Sequence, residues 1–178
     1  MVQRLVRLGL VRSERYRGAR LTAAGRSAAL QLIRRHRIIE SYLVERLGFG
    51  WDDVHEEAER LEHAASDDLI ARMADAIGNP TEDPHGAPIP TVAGEVDETR
   101  LQSIADLPEG GTATVVRMSD RDPEFLRYLD GMGIRPGATV RVVARAPFAG
   151  PVTLEVEGAR HAVGTSAAAQ VFIRRNRR

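Results

Sequence analysis

The sequence predicts an α+β protein, with a helical first half and a small β-barrel in its C-terminal part. Helical spacing of apolar residues runs from Ala23 towards Gly78, whereas β-branched, alternating runs fill the chain beyond residue 101. Between them lies 79–99, NPTEDPHGAPIPTVAGEVDET, rich in Pro, Gly and small polar residues and without a sustained period, which reads as a linker. With 178 residues, 43% of them hydrophobic and 28% charged, the chain can bury one or two genuine cores.

Composition narrows the chemistry. Cysteine is absent, so disulfides, thiolate nucleophiles and sulfur-rich metal sites are excluded, and any metal must be held by nitrogen and oxygen. No apolar run reaches the ~20 residues needed to cross a bilayer, and MVQRLVRLGLVRSER lacks a signal peptide's apolar core, so a cytoplasmic protein is expected. Net charge is zero but unevenly placed: residues 1–37 carry ten arginines against the single acid Glu14, and 38–79 carry eleven acids against three arginines. The first segment suits a polyanion and the second suits cations.

Taken in order, GLVRSERYRGARLTAAG (9–25) reads as two short strands around a turn at Arg17–Gly18, with Thr22 as N-cap of the helix that follows. From Ala23 to about Leu47, Ala29, Leu32, Ile33, Ile39, Tyr42, Leu43 and Leu47 keep mostly helical spacing, and Gly48 ends the run. A second helix is expected from near Trp51–Asp53, capped by an Asp, to about Ala65; Ser66 then restarts a third, up to Gly78–Asn79–Pro80. Beyond the linker, TATVVRM, ATVRVVARA, VTLEVEG and ARHAVG read as strands of a barrel of about five, with a short helical piece at 122–133. Gly110–Gly111 and Gly131–Gly133 are turn glycines, and Arg174, Arg175, Arg177 and Arg178 read as a frayed basic tail.

The stretch VHEEAERLEHAASDD (54–68) gathers two histidines and four glutamates. On a helix at ~100° per residue, His55, Glu59, Glu62 and His63 fall within an arc of about 100°, beside an apolar stripe of Val54, Ala58, Leu61 and Ala65. His36 and Glu40, spaced i and i+4, also project together, so six donors on consecutive helices can meet. A carboxylate-rich set with imidazole and no sulfur suits a divalent first-row ion such as Mn²⁺ or Fe²⁺. The competing reading is an acidic, solvated helix with incidental histidines. HEEAE is not the zincin motif, since Glu59 stands where HExxH needs His. His85 lies in the linker, a poor ligand without a rigid scaffold, and His161 reads as structural.

These residues resemble the diphtheria toxin repressor superfamily of iron- and manganese-dependent transcriptional repressors, over nearly the whole chain. GLVRSERYRGARLTAAG is similar to that family's wing, RRHRIIESYLVERLG and VHEEAERLEHAASDDL to its metal-binding and dimerisation helices, and LPEGGTATVVRMSDRDPEFLRYLDGMGIRPGATVRVV to its SH3-like, FeoA-type domain. The resemblance implies four segments: 1–24 a partial winged-helix DNA-binding domain, the remnant of a winged helix-turn-helix; 25–79 the helical metal-binding and dimerisation domain; 80–100 the linker; and 101–178 the SH3-like domain. It implies that His36, Glu40 and His55 form an ancillary metal site, completed by Asp122 or Glu124 from the SH3-like domain, and that Glu59, Glu62 and His63 belong to the primary, activating site. Because Glu59 stands where the iron-responsive branch has Cys, the implied metal is Mn²⁺, with Fe²⁺ the alternative. Family members begin with a helix that supplies further ligands; MVQRLVRLGLV resembles only the end of the recognition helix.

The expected function is that of a homodimeric repressor, not an enzyme, with metal as corepressor and double-stranded operator DNA as partner. Arg4, Arg15, Arg17 and Arg20 are its candidate phosphate contacts. The alternative is a metal-binding dimeric module without operator binding.

Overall fold

The computed structural model describes residues 2–14 and 18–175. Arg15 and Arg17, expected at the wing tip, and Arg177 and Arg178 lie outside the described residues. A short helix, α1 (Val2–Arg7), leads into an antiparallel hairpin, β1 (Val11–Glu14) and β2 (Gly18–Leu21), in which Val11 faces Leu21. Thr22 caps the long helix α2 (Ala23–Leu47) by accepting the Gly25 amide, and left-handed Gly48 ends it. At Gly25 a Cβ would lie 1.9 Å from the Leu10 carbonyl oxygen, so the start of α2 packs backbone to backbone on the hairpin.

Helix α3 (Val54–Glu62) stops short of the expected Ala65. The amides of Ala64 and Ala65 both turn back to Leu61, and Ser66 is already extended as N-cap of α4 (Asp67–Ala76), where it accepts the Leu69 amide. Asp53 occupies the N-cap position of α3 but makes no side-chain cap. Its carboxylate and that of Asp52 instead meet Arg127, at 3.1 and 3.4 Å. Ile38, Ile39, Leu43, Val54, Ala58, Ile70 and Ala74 form the core of these three helices.

The C-terminal domain is one antiparallel sheet of six strands, not five, in the order β3-β8-β4-β5-β6-β7, as suits an SH3-like domain. In chain order these are β3 (Gln102–Ser103), β4 (Thr112–Met118), β5 (Thr139–Arg145), β6 (Val152–Val156), β7 (Ala159–Val163) and β8 (Val171–Arg175). Helix α5 (Pro123–Asp130) links β4 to β5, and α6 (Thr165–Ala168) precedes β8. Strand β8 overturns the reading of Arg174 and Arg175 as a frayed tail: they pair with Thr114 and Ala113 of β4, because Val171 and Ile173 in the same strand are buried in the core.

The linker also departs from expectation. Asp83, His85, Gly86, Ala87, Ile89 and Pro90 are buried, and Ile89 joins the helical core. Gly86, at φ +80°, lies so close to β4 that a Cβ would sit 1.9 Å from the Val116 carbonyl oxygen, and the His85 carbonyl accepts the Met118 amide. Segment 83–90 is thus packed between the two domains. No helix among the described residues is long and apolar enough to cross a membrane.

Candidate metal centre

Helix α2 carries His36 and Glu40 one turn apart, and α3 packs across it with His55 in its first turn. His36 Nε2, His55 Nδ1 and the Glu40 carboxylate Oε1 form a triangle with sides of 3.0, 3.0 and 3.1 Å. Donors in adjacent positions around an octahedral ion with bonds of about 2.1 Å are about 3.0 Å apart, so the triangle has the dimensions of one coordination face. Glu62 holds the other imidazole nitrogen, His36 Nδ1, at 2.9 Å, which leaves Nε2 turned towards Glu40 and His55.

Electrostatics follow from this enclosure. Burial works against a charged His36, but the carboxylates of Glu40 and Glu62 outweigh it and raise its pKa. Burial likewise works against ionised Glu40, yet His36 foremost, with His85 and His55, keeps its carboxyl below the usual range.

The second oxygen of Glu40 tells a different story. Glu40 Oε2, Asp83 Oδ2 and His85 Nδ1 are buried without a hydrogen-bond partner. Glu40, Asp83, His85 and Asp120 bring ligand atoms within 4.8 Å of one another, as do His36, Glu40 and His55. His85 Nε2 lies 2.7 Å from the Trp51 carbonyl, to which it donates, and Nδ1 is left 3.9 Å from Asp83 Oδ1. Burial pushes the Asp83 carboxyl up to about 6, despite the Ala87 amide, with Glu40 adding to the rise. A fully buried imidazole nitrogen without a hydrogen-bond partner among carboxylates costs free energy unless a proton or a cation is shared there. The donor set is what a hard or borderline divalent ion takes.

The six donors expected on the two helices therefore divide. His36, Glu40 and His55 are brought together, with Glu62 beside them. Glu59 remains largely exposed, its nearest oxygen 4.0 Å from His55 Nε2. His63 falls at the C-cap, 75% exposed, with Nε2 3.5 Å from Glu62 Oε1. Asp122 and Glu124 lie outside the cluster, since Asp122 caps α5 by accepting the Glu124 amide and both are exposed. The SH3-like domain contributes Asp120 in their place, two residues beyond Met118, whose amide is tied to His85. His85, expected to be a poor ligand, is fully buried and tied to the Trp51 carbonyl and the Met118 amide. The D-P-H-G run of 83–86 was the signal that could have found it, a carboxylate and an imidazole two residues apart beside an obligatory glycine turn. A shallow cavity of about 220 Å³, lined by His36, His55, Glu59, Glu62 and Asp120 among others, opens the cluster to solvent. Arg4 and Arg20 are exposed on α1 and β2.

The chain resembles known proteins over most of its length. Residues 22–91 match the family described as iron dependent repressor, metal binding and dimerisation domain, and 102–175 match the FeoA domain. The iron-dependent repressor IdeR of Mycobacterium tuberculosis is 34% identical over 169 residues, covering 88% of this chain and 73% of that protein. The diphtheria toxin repressor of Corynebacterium efficiens is 33% identical over 153 residues, 80% of this chain and 66% of that one. A solved manganese-dependent transcriptional repressor in complex with manganese superposes with a TM-score of 0.91 at 41% identity, over 98% of this chain and 82% of that chain. The chain belongs to the diphtheria toxin repressor family of metal-dependent transcriptional regulators.

Proposed function

We propose that this protein is a homodimeric repressor whose corepressor is Mn²⁺, with Fe²⁺ the alternative, and whose ligands fall into two positions that share Glu40. The observation that carries the reading is the pairing of a close donor triangle on one side of Glu40 with buried, unpartnered donors on the other. The outer position takes His36 Nε2, Glu40 Oε1 and His55 Nδ1. The interior position takes Glu40 Oε2, Asp83, His85 Nδ1 and Asp120. Glu59, Glu62 and His63 remain candidate ligands of the activating site that the family resemblance implies. A set rich in carboxylate and free of sulfur favours Mn²⁺ over softer ions.

When bound, a divalent ion supplies positive charge and directed bonds that tie helix, linker and SH3-like domain together. The remaining work belongs to the chain. His36, oriented by Glu62, and His55 fix the approach of α3 to α2, and α2 runs directly from the hairpin at its Thr22 end. A change in how α2 and α3 pack is thereby transmitted to the hairpin and α1, where Arg4 and Arg20 meet phosphates of the operator, joined by Arg15 and Arg17 as the sequence predicts. Only a ligand that binds the operator-competent arrangement more tightly shifts the population. Leu32, Ile70, Ala71 and Val92 line an apolar groove of about 620 Å³ on the helical domain, which suits its dimerisation role.

The test is selection of genomic DNA fragments on the purified protein, with Mn²⁺ and with chelator. Enrichment of a two-fold symmetric sequence only with metal supports the repressor. Equal enrichment in both arms overturns metal control, and metal binding without any enrichment favours the dimeric module without operator binding.

A further inference from the structure

Between the two domains, α2 grips the linker with a row of arginines. Arg37 donates to the Pro88 carbonyl at 2.5 Å and places its Nε 3.2 Å from Asp83 Oδ2. One turn earlier Arg34 donates to the Pro90 carbonyl at 2.9 Å, and near the start of α2 Arg26 pairs with Glu98. As helix numbers fall, linker numbers rise, so the linker lies antiparallel along α2. The spacing matches: three helical residues advance about 4.5 Å and two extended residues about 6 Å, so successive arginines meet alternate carbonyls.

We propose that Arg37, assisted by Arg34, is the positioning residue of the interior metal position; the inference rests on the two-position reading above. Asp83 is held from two sides. Its Oδ1 accepts the amides of His85 and Ala87, both at 2.9 Å, which closes the 83–87 turn, while Arg37 holds Oδ2 from the helix. The turn so fixed holds His85 beside Glu40 and, through the His85 carbonyl and Met118, brings Asp120 to the same cluster. Arg37 also offsets one of three clustered carboxylates, Glu40, Asp83 and Asp120, so one divalent ion brings the set to neutrality. A lysine could supply the charge but not the fork that reaches a carbonyl and a carboxylate at once.

The experiment is anaerobic Mn²⁺ titration by calorimetry of the wild-type chain, Arg37→Gln, Arg37→Lys and Arg34→Gln, with His85→Ala and His55→Ala as references lacking the interior and outer positions. Thermal melting of each metal-free variant runs alongside. Arg37→Gln is expected to weaken the interior position tenfold to about a hundredfold, the range typical of residues that orient ligands, and to leave the outer one within about twofold. It then resembles His85→Ala and not His55→Ala, while Arg37→Lys recovers part of the loss. Interior affinity unchanged in Arg37→Gln overturns the proposal. Equal weakening of both positions with a lowered metal-free melting temperature also overturns it, since that reports a structural role. If Arg37→Gln does not fold, Arg34→Gln and Arg37→Lys decide, with graded interior losses expected and none overturning the proposal. A wild-type chain that binds no Mn²⁺ removes the two-position reading itself, an outcome distinct from tight binding that ignores Arg37.

Discussion

Helix α3 and the 83–90 turn both deliver an imidazole and a carboxylate towards Glu40, by opposite means. On α3 the donor rides a regular helix, part-exposed, and hydrogen-bonds within the cluster: His55 of α3 and His36 of α2 share Glu40 Oε1. In the turn the donors are enclosed, fixed by backbone amides and by the Trp51 carbonyl, and His85 Nδ1, like Glu40 Oε2 on α2, is buried without a hydrogen-bond partner. A site that can relax into its own hydrogen bonds gives up metal cheaply. One that cannot is poised to retain it, since emptying it leaves buried polar atoms unsatisfied.

The strongest way to break this comparison is to remove what both sides share. Glu40→Gln should abolish saturable Mn²⁺ binding at both positions, a loss of at least about a hundredfold, beyond that typical of ligand-orienting residues; calorimetry showing one position intact would separate the sites.

Asp83 tests the cost of enclosure. Its carboxyl is pushed up to about 6 from 3.8, so the folded chain holds this proton more tightly than the unfolded chain does. The metal-free protein should therefore lose stability as pH rises from about 4 to about 6 and stay weakened above that window. Asp83→Asn, with no charge to bury, should be more stable than wild type at neutral pH by up to about 2–3 kcal/mol, the gap closing below about pH 4. Denaturant melts at the two pH values check this, and saturating Mn²⁺ should reverse the order.

Gly86→Ala probes the turn's backbone. A left-handed residue whose Cβ would lie 1.9 Å from a carbonyl oxygen cannot accept one without movement, and a loss of more than about 1 kcal/mol is expected. Proteolysis at Glu95 or Glu98 should become faster if the turn lifts from β4. The smallest effect belongs to the contact of Arg127 with Asp52 and Asp53, where the arginine is half exposed. Arg127→Ala should cost less than about 1 kcal/mol in a thermal melt and shift neither metal position.

These contrasts also explain what the sequence could disclose. His36, Glu40, His55 and Glu62 were legible because a helix places donors by a fixed rotation, and their neighbours gave the period. His63, placed on the same arc, stands at the C-cap of α3 and is exposed beside Glu62. Asp83 and His85 belong to a turn held by side-chain and interdomain contacts, which no local period announces. Asp120 is brought in by β4 from the C-terminal domain, two residues before Asp122, whose carboxylate accepts the Glu124 amide. Strand β8 hid behind its arginines, although the alternation of Val171 and Ile173 was present.

The chain has a single tryptophan, Trp51, and it is the residue whose carbonyl holds His85. Its indole lies 5.7 Å from the His85 ring, with the Arg135 guanidinium also 5.7 Å away. The protein thus carries its own optical probe at the junction of its domains. Paramagnetic Mn²⁺ entering beside His85 should quench that emission, whereas an ion confined to the side of His55 should dim it less, so a fluorimeter can follow the order in which the two sides fill.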